Sequence, residues 1–222
     1  MNADLFPIWL SLRVATGALL LALPFGLALA WIQARRSYPL RRLVDGLVLL
    51  PLVLPPSVVG FLLVLALGRR GPVGAWLEAS FDLRLAFTPT AAVVAASVVA
   101  LPMLVKTAQP AFEAVPAELE RVGRTLGLGP VSLFFRVTLP SAWRGVVAAA
   151  VLAFARAGGE FGATLMFAGN IPGRTNTMPL ELYAAYQAGD DARALFYVAV
   201  LTATSLLVVS LASRLSPAPE PT

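Results

Sequence analysis

Long apolar segments are the feature of this sequence that most restricts its fold. Crossing a hydrocarbon layer about 30 Å thick takes roughly 20 consecutive apolar helical residues. Five windows qualify, at about 10–33, 45–67, 86–108, 143–168 and 193–213. Hydrophobic residues make up 58% of the 222 residues and charged residues 13%, and a water-soluble domain could not bury that much apolar surface. We therefore predict an all-α integral membrane protein with about five transmembrane helices, six at most.

The spans predict one transmembrane domain over residues 1–215, with a long polar loop at 109–142. The first span is too long for the apolar core of a signal peptide, so we expect it to be retained. Prolines 51, 55 and 56 predict a kink in the second span, which is either structural or part of a transport pathway. Residues 216–222 carry three prolines and almost nothing to bury, which predicts a disordered tail.

The basic residues predict the orientation, because loops rich in Lys and Arg are retained on the cytoplasmic side. One side collects ten of them: Arg35, Arg36, Arg41, Arg42, Lys106, Arg121, Arg124, Arg136, Arg144 and Arg214. The other side has five: Arg69, Arg70, Arg84, Arg174 and Arg193. We expect an outside N-terminus, a cytoplasmic C-terminus, a cytoplasmic loop 109–142, and segments 68–85 and 169–192 facing outward.

The composition excludes several classes of function. The chain has no Cys and no His, which removes thiol nucleophiles, imidazole bases and the usual zinc or haem ligands. It has no glycine-rich phosphate loop, and its one lysine, Lys106, follows Val105. The net charge of +5 lies in clusters between apolar spans, so we expect membrane lipid rather than nucleic acid as its surroundings. We expect no enzyme activity, no metal and no cofactor in this chain.

Residues 116–140 differ from the rest of the chain. Pro116, with acidic residues in the turn that follows, favours a helix start, and Gly127 or Gly129 favours its end. Pro130 can begin a second short helix with an apolar face. The residues alone leave two interpretations open: a helix pair resting on lipid headgroups, or a surface that docks another protein.

The same loop resembles the cytoplasmic loop of ABC-importer permeases, which carries Glu-Ala-Ala, three residues, Gly, nine residues, Ile, one residue and Leu-Pro. The Glu-Ala-Ala positions are degenerate here, as Arg121-Val122-Gly123, with Glu120 beside them. The resemblance implies a loop that couples transport to a separate ATPase subunit. It assigns that role to Glu120, Arg121, Gly123, Gly127, Val137, Leu139 and Pro140.

Arg156 and Glu160 stand one helical turn apart inside the fourth apolar window, with Thr164 one turn further on. A charge inside a membrane costs several kcal/mol and persists when it faces a bundle interior or a water-filled pathway. The spacing allows the two side chains to pair. Two interpretations stay open for this group: a clamp between helices, and a gate or pathway element for an anion.

Residues 153–183 are similar to the molybdate-specific branch of ABC permeases through Gly-Glu-Phe-Gly-Ala-Thr and Phe-Ala-Gly-Asn-Ile-Pro-Gly. Further similarity lies in Leu-Leu-Pro-Leu-Val-Leu-Pro-Pro at 49–56 and in segments 67–74 and 84–88. The resemblance implies a homodimer in the bacterial inner membrane, with two ATP-binding subunits that hold ATP and Mg. It also implies a periplasmic or extracellular protein that delivers molybdate or tungstate.

Three alternative functions compete with that interpretation. A sulfate or other oxyanion permease shares Gly-Glu and Ala-Gly-Asn but differs on either side. A secondary transporter would usually show two related halves, which five spans and one outsized loop do not form. An intramembrane enzyme would need a nucleophile and a base, and only a serine with Lys106 remains for that pair.

Overall fold

The computed structural model describes residues 5–215, and these are helical with no strand among them. The predicted tail 216–222 lies outside the described residues. The helices are α1 (Phe6–Arg35), α2 (Arg41–Val53), α3 (Pro56–Leu67), α4 (Pro72–Phe81), α5 (Pro89–Glu113), α6 (Ala117–Thr125), α7 (Pro130–Leu133), a π-helical turn (Phe134–Thr138), α8 (Leu139–Ser141), α9 (Trp143–Gly158), α10 (Gly162–Ala168), α11 (Met178–Gln187) and α12 (Asp191–Leu215).

Three of the described helices are long and apolar enough to cross a membrane singly: Phe6–Arg35, Pro89–Glu113 and Asp191–Arg214. Two bent pairs bring the number to five when each pair is counted as one span. One pair is α2 with α3, bent by 111°, and the other joins Pro130–Ser141 to α9 with a bend of 83°. The predicted all-α membrane fold with about five spans is therefore confirmed.

The centre of the molecule is a contact between α1 and α5 that runs along both helices. Alanines and glycine on one face of α1 meet an alanine-rich face of α5, including Ala18, Ala22, Ala95 and Ala96, all of which are buried. A Cβ added at Gly26 would lie 2.5 Å from Leu104 Cδ2, so this glycine lets the side chain of Leu104 pack directly against the backbone of α1. Small residues allow this approach, which supplies van der Waals contact where lipid gives no hydrophobic drive.

The fourth predicted span, 143–168, is wrong as one continuous helix. Helix α9 ends at Gly158, and α10 begins only at Gly162. Two consecutive glycines lower helix stability at this point. Helix α10 then packs against α3, whose own start follows the break at Pro55.

The connections gather at two ends of the bundle. The loop end, defined by residues 36–45 and 106–142, is held together by Arg35 Nη2, which donates to Val115 O over 2.6 Å, and by the Lys106–Asp45 ion pair. The far end consists of residues 68–88 and 169–190, where Phe87 N donates to Phe167 O over 3.1 Å. This grouping brings together the segments that the basic residues assign to each side.

Both segments of the far end contain a helix. Helix α4 lies within residues 68–85, and α11 lies within the stretch 169–192, whose glycines and prolines had indicated a loop. Pro179 stands in the first turn of α11, and so does Glu181. These two residues favour a helix start, because proline loses no hydrogen bond there and a carboxylate interacts favourably with the helix dipole.

Candidate functional site

Helix α6 presents an apolar stripe on the outside of the loop end. Leu119, Val122 and Leu126 are 45%, 57% and 76% exposed. They recur at intervals of three and four residues, which places them on one face of the helix. The neighbouring Glu118 and Arg121 form an ion pair that is 70% exposed at both side chains. An apolar stripe with a polar border is typical of a surface that meets another protein.

The opposite face of α6 turns toward the helix bundle and carries Glu120. This residue is 5% exposed, although carboxylates are rarely buried without partners. Its Oε1 accepts a hydrogen bond from Thr138 Oγ1 over 2.9 Å and lies 3.1 Å from Arg35 Nε, an ion-pair distance without hydrogen-bond alignment. Arg124 Nη2 lies 3.7 Å from Oε2. The sequence placed Glu120 in the loop but gave no indication of which way it faces.

Gly123 and Gly127 have different structural roles in this loop. A Cβ at Gly123 would lie 2.5 Å from Leu133 Cδ1, so this glycine lets α6 rest on α7. Gly127 has a φ of +82° with no neighbouring atom within 4 Å of an added Cβ. It is therefore the left-handed residue that ends α6, one of the two glycines that the sequence offered for this position. Leu128 N then donates to Gly123 O over 3.1 Å, which closes the turn.

Val137, Leu139 and Pro140 lie in the helical segment that leads from the loop into α9. Val137 and Leu139 are half-buried, whereas Pro140 is exposed. The segment widens into a π-turn in which Leu139 N donates to Phe134 O. Pro140 has no N–H to continue an α-helical ladder, and the wide turn ends beside it.

Arg156 and Glu160 are paired in the structure, with 2.8 Å between Arg156 Nη1 and Glu160 Oε2. Their side chains are 26% and 2% exposed. Glu160 does not continue α9 but lies in the break, where its Oε1 accepts a hydrogen bond from Ala163 N over 2.9 Å. It thus caps the N-terminus of α10, so one carboxylate joins the end of α9 to the start of the next helix.

The break is in close contact with the start of α3. A Cβ at Gly162 would lie 3.0 Å from Pro56 Cβ, and one at Gly60 would lie 2.8 Å from both Cα and O of Ala163. Thr164, one residue further, is 1% exposed, and its hydroxyl has no partner in the described part of the chain. The two broken segments therefore cross backbone against backbone.

A polar network at the far end was missed by the sequence reasoning. Glu181 is 8% exposed; its Oε2 accepts a hydrogen bond from Asn176 over 3.0 Å, and its Oε1 pairs with Arg193 at 2.7 Å. Met178 N donates to Ser11 Oγ over 2.7 Å, which fastens this segment to α1. The run Thr175-Asn176-Thr177 was the available signal, because three polar residues precede a helix with proline in its first turn.

Among residues 5–215, no cluster of three or more His, Cys, Asp or Glu side chains could hold a metal ion. Arg156 is the one charged group at the break with partial exposure, and its guanidinium can contact an anion while it remains paired.

The chain is similar in sequence to membrane components of transport systems. Residues 22–220 match the family described as binding-protein-dependent transport system inner membrane component. The chain is 43% identical to the molybdenum transport system permease protein ModB of Escherichia coli (strain K12), covering 94% of this chain and 93% of that protein. It is 40% identical to ModB of Haemophilus influenzae, covering 92% and 91%.

Solved structures with a similar fold are permeases from ABC transporters. The methionine transporter MetNI in an inward-facing conformation gives a TM-score of 0.65 at 16% identity, covering 97% of this chain and 95% of that one. A bacterial importer of the acidic polysaccharide alginate gives 0.69 at 15% identity, covering 96% and 80%. At such low identity these two structures establish the fold alone.

Proposed function

The chain belongs to the family of binding-protein-dependent transport system inner membrane components, and from this premise we propose that it is the permease subunit of an ATP-driven importer of molybdate. The observation that carries the substrate is the 43% identity to a molybdenum permease over 94% of the chain. Tungstate is an oxyanion of the same shape and charge, and we propose that it shares the pathway.

The apolar stripe of α6 supports a docking site for an ATP-binding subunit. Leu119, Val122 and Leu126 are exposed on a helix that lies outside the candidate membrane spans, where they are available to contact another protein. This chain carries no phosphate loop, and ATP with Mg would be held by the partner. Two permease copies and two ATP-binding subunits would form the complete transporter.

The grouping of segments supports the proposed orientation. The loop end carries seven of the 17 Lys and Arg residues against four at the far end and would face the cytoplasm, so both the docking stripe and the C-terminus would lie there. The far end would face outward in the inner membrane. A binding protein that delivers molybdate would meet it near the exposed Arg70 and Arg174.

Arg156, Glu160 and Thr164 support a pathway or gate at the break between α9 and α10. An imported dianion needs a positive partner that does not hold it permanently. Arg156 is partly exposed, and Glu160 at 2.8 Å weakens its attraction for an anion. The same contact clamps the break, so the pair would serve both roles.

The test of the proposed function is uptake of radioactive molybdate by bacteria that lack their own molybdate permease. The chain would be expressed with its ATP-binding subunit and its binding protein. We expect uptake that tungstate competes with strongly and sulfate weakly. Equal competition by sulfate would favour a general oxyanion permease, and absence of uptake with a correctly inserted chain would contradict the proposal.

A further inference from the structure

We infer that Arg35, at the end of α1, is a positioning residue that holds the α6 loop against the first span, so that movement of the loop is transmitted into α1. This inference rests on the proposed function, because only a docked ATPase would move the loop. Nothing in the sequence motif points to Arg35, since it lies in a different segment of the chain, before α2.

The contacts of Arg35 join three separate elements. Its Nη2 donates to Val115 O over 2.6 Å, a contact between residues 80 positions apart in the sequence. Its Nε lies 3.1 Å from Glu120 Oε1 on α6. The same carboxylate oxygen accepts the hydroxyl of Thr138, which is fully buried in the π-turn. One guanidinium and one carboxylate therefore connect α1, the turn after α5, α6 and the π-turn.

Burial increases the energetic cost of losing these contacts. The side chains of Arg35 and Glu120 are 16% and 7% exposed. A buried carboxylate that loses its cation is strongly destabilising, whereas an exposed ion pair contributes little. Arg124 also pairs with Glu120, but at 3.7 Å and with a side chain that is 67% exposed, so it is the weaker of the two cations. Loss of Arg35 would thus weaken the attachment of α6 without touching its apolar outer stripe.

Aromatic packing beside the pair supports the same connection. The rings of Trp31 and Phe134 lie 5.2 Å apart, and those of Phe112 and Phe134 lie 5.9 Å apart. Trp31 precedes Arg35 by one turn of α1, so the two contacts lie at neighbouring levels of that helix. The loop is therefore attached to α1 by a polar and an apolar contact.

Helix α1 is long enough to carry the movement across the membrane. It has 30 residues, which corresponds to about 45 Å of helix. At its other end, Ser11 Oγ accepts a hydrogen bond from Met178 N at the far end. A displacement of the loop that reaches α1 through Arg35 would also reach the segment that precedes α11.

The experiment compares variants of Arg35 and Glu120 with matched exposed neighbours. The variants are Arg35→Gln, Glu120→Gln and the double change, and the controls are Arg36→Gln and Glu113→Gln, both at exposed positions outside the docking stripe. The complete transporter in proteoliposomes is assayed for molybdate imported per ATP hydrolysed. We expect Arg35→Gln to lower that ratio about tenfold, with ATP hydrolysis and assembly retained, because the buried carboxylate keeps only the more distant and exposed Arg124 as its cation.

The double change should lower the ratio of molybdate imported to ATP hydrolysed by less than the two single changes added together, because neither buried charge is left without its partner. Both controls should behave as the unmodified chain. An unchanged ratio in Arg35→Gln, or equal losses in Arg35→Gln and Arg36→Gln, would overturn the inference.

A second measurement does not depend on transport. Hydrogen exchange of the amides in α6 should be faster in the purified complex with Arg35→Gln than with Arg36→Gln. In the double variant it should be slower than in Arg35→Gln. Unchanged exchange in α6 would overturn the inference even if the transporter were inactive. If the unmodified complex imports no molybdate but the variants show this pattern of exchange rates, only the proposed function is contradicted.

Discussion

Two buried glutamates, Glu120 in the loop and Glu160 in the broken span, use the same chemistry for different purposes. Each is at most 5% exposed and each lies within 3.1 Å of an arginine nitrogen. The partner of Glu120 lies on another helix, in a distant part of the sequence, whereas the partner of Glu160 lies four residues before it. Glu120 therefore fixes tertiary structure, and Glu160 closes a local break.

The contacts around the two glutamates also differ in how rigid they are. At the loop, Gly123 faces the flexible end of Leu133. At the break, Gly60 faces the backbone of Ala163. A side-chain tip can move by a rotamer change, but a helix backbone cannot. We conclude that α6 rests on α7 through an adaptable side-chain contact, whereas the break is a rigid crossing of backbones.

The largest effect is expected from separating the pair at the break. Arg156→Met leaves the carboxylate of Glu160 buried without a cation and should lower stability by about 3 kcal/mol. Glu160→Gln should cost less, because its amide oxygen can still cap α10 and Arg156 can reach water. The double variant should recover most of the stability. Thermal unfolding of the three purified complexes measures this.

Uptake by the same double variant separates the clamp from the pathway. If Arg156 contacts the passing oxyanion, the double variant should be stable but should not import molybdate. Uptake at the rate of the unmodified chain would rule out a pathway role for the pair. If Arg156→Met and Glu160→Gln are each as stable as the unmodified chain, the Arg156–Glu160 pair does not stabilise the fold in the way expected for a buried ion pair.

The next effect tests the rigid crossing. Gly60→Ala should lower stability by about 2 kcal/mol, because the new methyl meets the backbone of Ala163. Gly123→Ala should cost about 1 kcal/mol or less, since Leu133 Cδ1 can move aside. Gly46→Ala, in open space within α2, should be neutral or slightly stabilising. Equal losses at Gly60 and Gly123 in thermal unfolding would remove the proposed difference between the two regions.

A smaller effect is expected at the turn that ends α6. Gly127→Asp forces a side chain into the left-handed region and should cost about 1 kcal/mol, whereas Gly129→Asp adds the same charge at a φ of −69° without strain. Both sites are open within this chain. We expect Gly127→Asp to reduce uptake more than Gly129→Asp. Co-purification of the ATP-binding subunit checks docking, and equal loss of it in both would indicate charge rather than strain.

The smallest perturbation tests the orientation. A cysteine at Gly129 should be labelled only from the cytoplasmic side, and the native absence of Cys makes the labelling specific. On the outward segment 169–192, a cysteine at Gly173 would be strained, because this residue has a φ of +69°. Arg174→Cys is therefore the better site. It should be labelled only from outside. The opposite sidedness would overturn the proposed orientation of both ends.

The sequence was sufficient for the features that depend on length, hydropathy and turn residues. Four of the five apolar windows, a proline-induced bend in the second span, the start of a helix at Pro130 and a glycine turn at Gly127 or Gly129 were predicted, and the structure has each of them. These features are local, so a short stretch of residues determines them.

Features that depend on tertiary contacts were not accessible from the sequence. The break at Gly159 was missed because the apolar window continues through it, and only the cap from Glu160 marks the start of α10. The inward direction of Glu120 could not be predicted either, since its partner Arg35 lies on another helix. The proposed role of Arg35 therefore rests on contacts that only the structure shows.

The most direct test of the account is ATP-dependent uptake of molybdate by proteoliposomes that contain this chain with its ATP-binding subunit and its binding protein. We predict accumulation that requires ATP on the side of the α6 loop and the loaded binding protein on the opposite side. Uptake without ATP, or uptake driven by an imposed proton or sodium gradient, would contradict the account.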